Sequence, residues 1–194
     1  MHHCRYIMDK RILRKTLKEK RKNIPSEKKV IYDKEISERI INSDYFKKAQ
    51  QILVFSSTDD EFDTKLIIEC CRAESKNVFY PLCTDSNGNM KFFEVDSPDD
   101  LQIGMYGIYE PKPYCKEYKP QNNDIVIVPC LSVDEKGYRI GYGKGYYDRF
   151  LKDFNGVSVC PCYEELLTDT IPTDKYDIKV KIIVTQNSTK EVIL

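Results

Sequence analysis

Histidine is nearly missing from this chain. Its two copies stand at positions 2 and 3, ahead of any patterned element, so the body of the protein has no Ser-His-Asp or Cys-His arrangement and no histidine zinc site. Chemistry must fall to Lys, Arg, carboxylates, Tyr, Ser/Thr, Cys or a bound cation, a set that suits phosphoryl transfer, where catalysis is largely positioning and charge stabilisation. An excess of either charge is missing too: 31 Lys+Arg meet 31 Asp+Glu, which gives no argument for nucleic acid or an anionic membrane as partner. No hydrophobic run approaches a membrane-spanning length. Residues 1–8 are not a signal peptide and are expected to be a disordered extension. Eight cysteines are present, but no disulfide framework: Cys70 and Cys71 are adjacent, Cys160-Pro-Cys162 is not CxxC, and Cys83, Cys115 and Cys130 lie apart. A reduced, cytoplasmic monomer is expected, folded as one domain over the 194 residues.

What is present is concentrated in one stretch, Gly137 to Leu151. Gly137, Gly141, Gly143 and Gly145 alternate with two cations, Arg139 and Lys144. The stretch follows a hydrophobic strand at Ile125 to Val128 and runs into a helical pattern at Tyr146 to Leu151. Glycine lets backbone N–H groups approach a ligand closely, and a helix N-terminus adds free N–H groups and partial positive charge. Strand, glycine loop, cations and helix together suit a phosphate better than they suit a flexible surface turn.

The spacing excludes the commonest phosphate loops. Five residues separate Gly137 from Gly143, where a P-loop has four, and Gly145 stands where its hydroxyl residue would be. A dinucleotide fingerprint fails because the glycine after Gly141-x-Gly143 comes two residues later, not three. The stretch is instead similar to the signature of the 5-formyltetrahydrofolate cyclo-ligase family, Arg-Leu-Gly-x-Gly-x-Gly-Tyr-Tyr-Asp. Here it reads Arg139-Ile140-Gly141-Tyr142-Gly143-Lys144-Gly145-Tyr146-Tyr147-Asp148, ten consecutive positions.

The rest of the chain reads as alternating helices and strands. A basic helix over residues 9–23 turns Leu13 and Leu17 inward and carries Lys10 and Arg14 on another face, with Arg21 returning near that stripe. Pro25-Ser26 opens a second helix with Val30, Ile36 and Ile40 as its apolar side, and a short third covers Ser43 to Ala49. Ile52–Phe55 is the first buried strand, and a helix through Leu66, Ile67 and Cys70 follows, capped by Asp63 or Thr64. Val78–Tyr80 ends at Pro81 and pairs with Met90–Val95 across an Asn87-Gly88 turn. Residues 96–123 read as irregular, Val157–Cys160 as a strand and Val180–Thr185 as the last one. The expected fold is α/β, a single three-layer domain with a central, mostly parallel sheet flanked by helices.

The resemblance, running from about residue 10 to residue 185, implies more than the pattern does. It implies conversion of 5-formyltetrahydrofolate and ATP to 5,10-methenyltetrahydrofolate, with ATP as co-substrate and Mg2+ as cofactor. It assigns Lys10, Arg14 and the run from Arg139 through Tyr147 to ATP, with Arg139, Lys144 and Glu61 in catalysis. Ser57, Glu61, Tyr109 and Tyr147 go to the folate and Asp148 to the metal. From the residues alone, Glu61 could equally be solvated capping and Tyr109 ordinary loop packing. In one place the chain departs from the family: Lys181 stands where an aspartate is thought to assist magnesium. Asp177 shares its strand parity but lies roughly 13 Å away along a strand. The expectation is that ATP phosphates and Asp148 hold the metal, with Lys181 supplying charge toward the phosphates or none. Two other functions use the same features: a nucleotide- or folate-binding module without turnover, and a sugar-phosphate isomerase or kinase.

Overall fold

A computed structural model describes residues 9–85, 88–104 and 107–193. The expected extension at residues 1–8 and the Asn87 half of the expected turn lie outside the described residues. Helix α1 (Lys10–Lys22) starts where the Asp9 carboxylate accepts the Arg11 backbone N–H at 2.8 Å, and it ends in Lys20, Arg21 and Lys22, cations that suit a helix C-terminus. Helices α2 (Ser26–Ile41), α3 (Asp44–Lys48) and α4 (Lys65–Ala73) follow, with strand β1 (Gln51–Leu53) between the last two. Ser43 caps α3 by accepting the Phe46 N–H at 3.2 Å. At its other end the Lys76 ammonium donates to the carbonyls of Ala49, at 2.8 Å, and Lys47, at 3.3 Å.

Then come β2 (Asn77–Cys83), β3 (Met90–Glu94), β4 (Leu101–Ile103), β5 (Tyr109–Pro111), β6 (Glu117–Tyr118), β7 (Ile125–Ile127), β8 (Ser132–Val133) and β9 (Arg139–Ile140). Helix α5 (Tyr146–Asp153), β10 (Val157–Pro161), β11 (Ile182–Val184) and β12 (Thr189–Glu191) complete the chain. Eight strands form one sheet in the order β12-β11-β10-β7-β1-β2-β3-β6. Its five central strands, β11, β10, β7, β1 and β2, run parallel, while β12, β3 and β6 add antiparallel edges. Ile125, Val126 and Ile127 of β7 are wholly buried, as a central strand covered on both faces requires. Helices flank the sheet: α4 and α2 pack on its core with Ile36, Ile40 and Ile67, and α5 sets Phe150 4.8 Å from Phe92 of β3.

The mostly parallel sheet with flanking helices is the architecture expected; several details differ. Val30 is 69% exposed and Leu66 also faces solvent, so α2 and α4 bury narrower stripes than their sequences imply. Strand β2 runs through Pro81 to Cys83 instead of ending there. Pairing with β1 stops at Phe79, so past that point β2 has a neighbour on one side only and tolerates a residue without an N–H. Residues 96–123 hold three short strands, and β12 follows the strand expected to be last. Among the described residues no helix is long and apolar enough to cross a membrane, and the seven cysteines there are all unpaired.

Candidate active site

The glycine-rich stretch divides into two parts with different tasks. Gly137 belongs to the turn of the β8–β9 hairpin, where the Asp134 carboxylate accepts the N–H groups of Lys136 and Tyr138, both at 3.0 Å. It faces the Val180 carbonyl, away from any ligand. Gly141 to Gly145 form the part that lines the cavity, the candidate phosphate loop. Gly143 and Gly145 have φ of +97° and +72°, values that favour glycine. Gly145 is also the N-cap of α5, no side chain caps that helix, and its first turn lines a cavity of about 970 Å³.

That cavity lies beyond the carboxyl ends of β1, β2 and β7, lined there by Ser56, Cys83 and Pro129 respectively. Ligands of open parallel sheets bind at this edge. Around it stand the glycine loop, the exposed face of α1 with Lys10, Arg14 and Lys18, the segment Asp174 to Asp177, and Tyr109 with Glu110 of β5. Every residue expected at the site lines the cavity except Ser57. The Ser57 hydroxyl turns back into the fold, accepting the Thr64 N–H at 3.0 Å and bonding its hydroxyl at 2.9 Å; Ser56 and Thr58 take its place on the wall.

The cations differ in how free they are. The Lys144 side chain is exposed and makes no hydrogen bond or ion pair among the described residues, although its carbonyl accepts from the Arg149 guanidinium at 3.0 Å. Arg14 donates through Nε to the Gly141 carbonyl at 3.0 Å and bears no carboxylate. Lys10 sits 2.5 Å from Asp177 and 3.3 Å from Asp174. Burial works against the Lys10 charge, but the two carboxylates outweigh it and hold its pKa above the ordinary value. Arg139, expected on the phosphates, is buried instead against Asp148: Nη2 reaches its Oδ1 at 3.0 Å while Nη1 donates to the Ile178 carbonyl at 2.9 Å. The Ile178 N–H joins the same Oδ1 at 3.2 Å, so one carboxylate oxygen pins the 174–178 segment to the loop.

No cluster of three His, Cys, Asp or Glu ligands occurs among the described residues. Asp148 nevertheless fits magnesium in the way nucleotide enzymes hold it, through one or two carboxylates plus substrate phosphates, because its Oδ2 has no partner among the described residues and the residue lines the cavity. Position 181 has no part in this. Lys181 donates to the Asn155 carbonyl at 2.9 Å, at the amino ends of β10 and β11, so the expected option of charge directed at the phosphates is removed.

Across the cavity Glu61 is 6% exposed. Its Oε2 accepts the Thr58 N–H at 3.0 Å and the Thr58 hydroxyl at 2.9 Å, a local turn that aims the carboxylate inward and goes beyond solvated capping. The Tyr147 hydroxyl is buried with no partner among the described residues. Burial and the nearby Glu61 charge push its pKa above the ordinary value. Tyr109 stands at the rim, 55% exposed. Reading residue by residue misses Thr58, Asp174 and Tyr176, whose place depends on the path of two loops. It places Arg21 near the basic stripe by its seven-residue interval from Arg14 but gives it no role at the site.

Known proteins share the sequence pattern and the fold. Residues 7–186 match the model of the 5-formyltetrahydrofolate cyclo-ligase family. A Haemophilus influenzae protein named 5-formyltetrahydrofolate cyclo-ligase is 28% identical over 151 residues, covering 75% of this chain and 81% of its own. One of the same name from Escherichia coli is 30% identical over 148 residues, covering 74% and 81%. Among solved structures, Aquifex aeolicus 5,10-methenyltetrahydrofolate synthetase superposes with a TM-score of 0.84 at 29% identity, over 94% of this chain and 92% of that one. The synthetase from Mycoplasma pneumoniae shares the fold, with a TM-score of 0.75 at 20% identity over 92% and 99%.

Proposed function

The chain belongs to the 5-formyltetrahydrofolate cyclo-ligase family, and from that premise we propose that it closes 5-formyltetrahydrofolate to 5,10-methenyltetrahydrofolate at the expense of ATP. The observation that carries this reading is the pairing of two unlike ends in one cavity: an unpaired Lys144 in a glycine loop, and a buried carboxylate, Glu61, opposite.

A formyl oxygen is a poor leaving group. In the proposed sequence it attacks the γ-phosphorus of ATP, the bond to the β-bridging oxygen breaks, and ADP departs. The neighbouring folate nitrogen then attacks the formyl carbon, its N–H proton passes to the departing phosphate or to solvent, and the former formyl oxygen leaves with phosphate. Lys144, Arg14 and the positive amino end of α5 take the negative charge that develops on the transferring phosphoryl group. Arg139 acts through Asp148 by fixing its orientation. Asp148 would hold magnesium, which when bound neutralises phosphate charge. Glu61 and the Tyr147 hydroxyl offer one acceptor and one donor to the pterin, and Tyr109 offers a face for stacking at the rim. Lys10 exchanges Asp177 for a phosphate when nucleotide enters.

The test is direct. The purified protein is mixed with 5-formyltetrahydrofolate, ATP and magnesium, and the near-ultraviolet band of the methenyl product is followed together with ADP and phosphate release. Equimolar growth of all three is the expected result. ATP binding without ring closure, or a response to phosphosugars in place of folate, overturns the reading.

A further inference from the structure

The glycine loop is held in shape by side chains from outside it. Among the described residues no backbone–backbone hydrogen bond involves residues 141–144. Three arginines hold the loop instead. Arg14 of α1 donates to the Gly141 carbonyl at 3.0 Å, Arg149 of α5 to the Lys144 carbonyl at 3.0 Å, and Arg21 of α1 to the Tyr142 hydroxyl at 3.2 Å. Glycine loses more conformational freedom on ordering than any other residue, so a run with glycine at 141, 143 and 145 keeps one shape only where something else imposes it.

Arg21 is the unexpected member of the three. Arg14 is half-buried and Arg149 exposed, whereas Arg21 is only 8% exposed. It follows Leu13 and Leu17 at four-residue spacing on α1, and those two are buried in a small apolar cluster with Ile140. A leucine at position 21 would extend that stripe. A guanidinium taken out of water is costly unless its donors are used, and Arg21 has no ion pair among the described residues. Its two terminal nitrogens are both engaged: Nη1 by the Tyr142 hydroxyl and Nη2 by the carbonyl of Cys130, in the segment that leaves β7. Only the buried Nε lacks a partner. One side chain therefore bridges the central strand's exit and the loop. Tyr142 is the place where it takes hold, between Gly141 and Gly143, with the Lys18 ammonium 5.4 Å from its ring centre.

We infer that Arg21 is a positioning residue for the glycine loop: acting through the Tyr142 hydroxyl, it ties the loop to the Cys130 segment and fixes its shape before nucleotide arrives. This rests on the proposed reading of the loop as the ATP site. A loop already ordered loses less freedom when phosphate binds, so the bond contributes to ATP affinity without touching ATP. The folate end of the cavity, around Glu61 and Thr58, is held by its own hydrogen bonds and does not depend on it.

Two substitutions remove the same bond from its two ends. Tyr142→Phe deletes the hydroxyl alone and leaves Arg21 on the Cys130 carbonyl, so the fold should hold. Arg21→Met keeps the apolar stem and extends the leucine stripe. Calorimetry on each should show the Kd for ATP rising roughly tenfold, the scale of one hydrogen bond to a charged group, with the Kd for 5-formyltetrahydrofolate within about twofold of wild type. The double variant should bind ATP no more weakly than the weaker single one. Arg21→Lys, which keeps one donor for the Cys130 carbonyl, supplies the second corner of the cycle should the methionine variant not fold. Unchanged ATP affinity in Tyr142→Phe, equal loss of both affinities, or additive losses in the double variant would overturn the inference. Wild-type protein that binds no ATP strikes the proposed function itself, so the two failures are distinguishable.

Discussion

Helices α1 and α2 both make polar bonds to distant segments, but they differ in how much apolar core they bury. The second buries Ile36 and Ile40 without residual exposure in the main core, beside Phe46, Ile52 and Ile67. The first buries two leucines in a separate cluster with Leu131, Ile140 and Ile171, and its remaining attachments are polar: Lys10 to Asp177, Arg14 to Gly141, Arg21 to Tyr142 and Cys130. A buried aliphatic side chain truncated to alanine costs roughly 2–5 kcal/mol, whereas a typical hydrogen bond contributes about 1 kcal/mol net. Stability is thus concentrated around α2 and recognition around α1, and the two should be separable by mutation.

The strongest challenge to that division is Phe46→Ala. Phe46 is wholly buried and lies under the Lys76 ammonium, 5.3 Å from the ring centre. Its loss should lower unfolding free energy in urea by about 3–5 kcal/mol while turnover per folded molecule is retained. Lys144→Ala should do the reverse, lowering turnover by ~100-fold or more, as removal of a donor to a developing oxyanion does, with an unchanged melting temperature because the side chain is exposed and unpaired. Equal damage to stability and rate in either variant would break the comparison.

Glu61→Gln sharpens it within the cavity. The amide keeps the shape but not the charge, and calorimetry with each ligand separately should show folate affinity falling roughly tenfold and ATP affinity much less. The smallest effect belongs to Lys181→Asp. Since its ammonium reaches only the Asn155 carbonyl, far from the cavity lining, stability should move by about 0.5 kcal/mol or less and the magnesium titration of activity should stay in place. Saturation at lower magnesium would return position 181 to the metal site.

The parts of this molecule legible in its sequence are those specified locally. The glycine loop, the amphipathic face of α1 and the apolar β7 each depend on neighbours within a few residues, and periodicity or glycine spacing exposes them. The short strands β4, β5, β6 and β12 have two or three residues each, and what makes them strands is a distant partner. Val30 looked like core because its own helix was the only frame available. Ser57 and Lys181 were drawn toward the site by their place beside matching segments, but a side chain's direction is set by the capping of α4 in one case and by the amino edge of the sheet in the other. Arg139 lines the cavity, but its partner, Asp148, is visible only once the loop and α5 are folded together.

The sheet order also dictates when this protein can become functional during synthesis. Strand β1 lies between β2 and β7, and β7 needs β10 on its other side. Helix α1 grips a carbonyl 127 residues later in the chain. Until the glycine loop has emerged, α1 is a cationic segment with little apolar surface to bury and no Gly141 carbonyl to grip, and until β7 has emerged the hydrophobic β1 has only one of its two lasting neighbours. Closing such long loops costs chain entropy before any contact offsets it. A nascent chain halted before residue 125 can therefore hold the β1–β2–β3 portion but no cavity, and nucleotide should protect the chain from proteolysis only after the second half has joined the sheet.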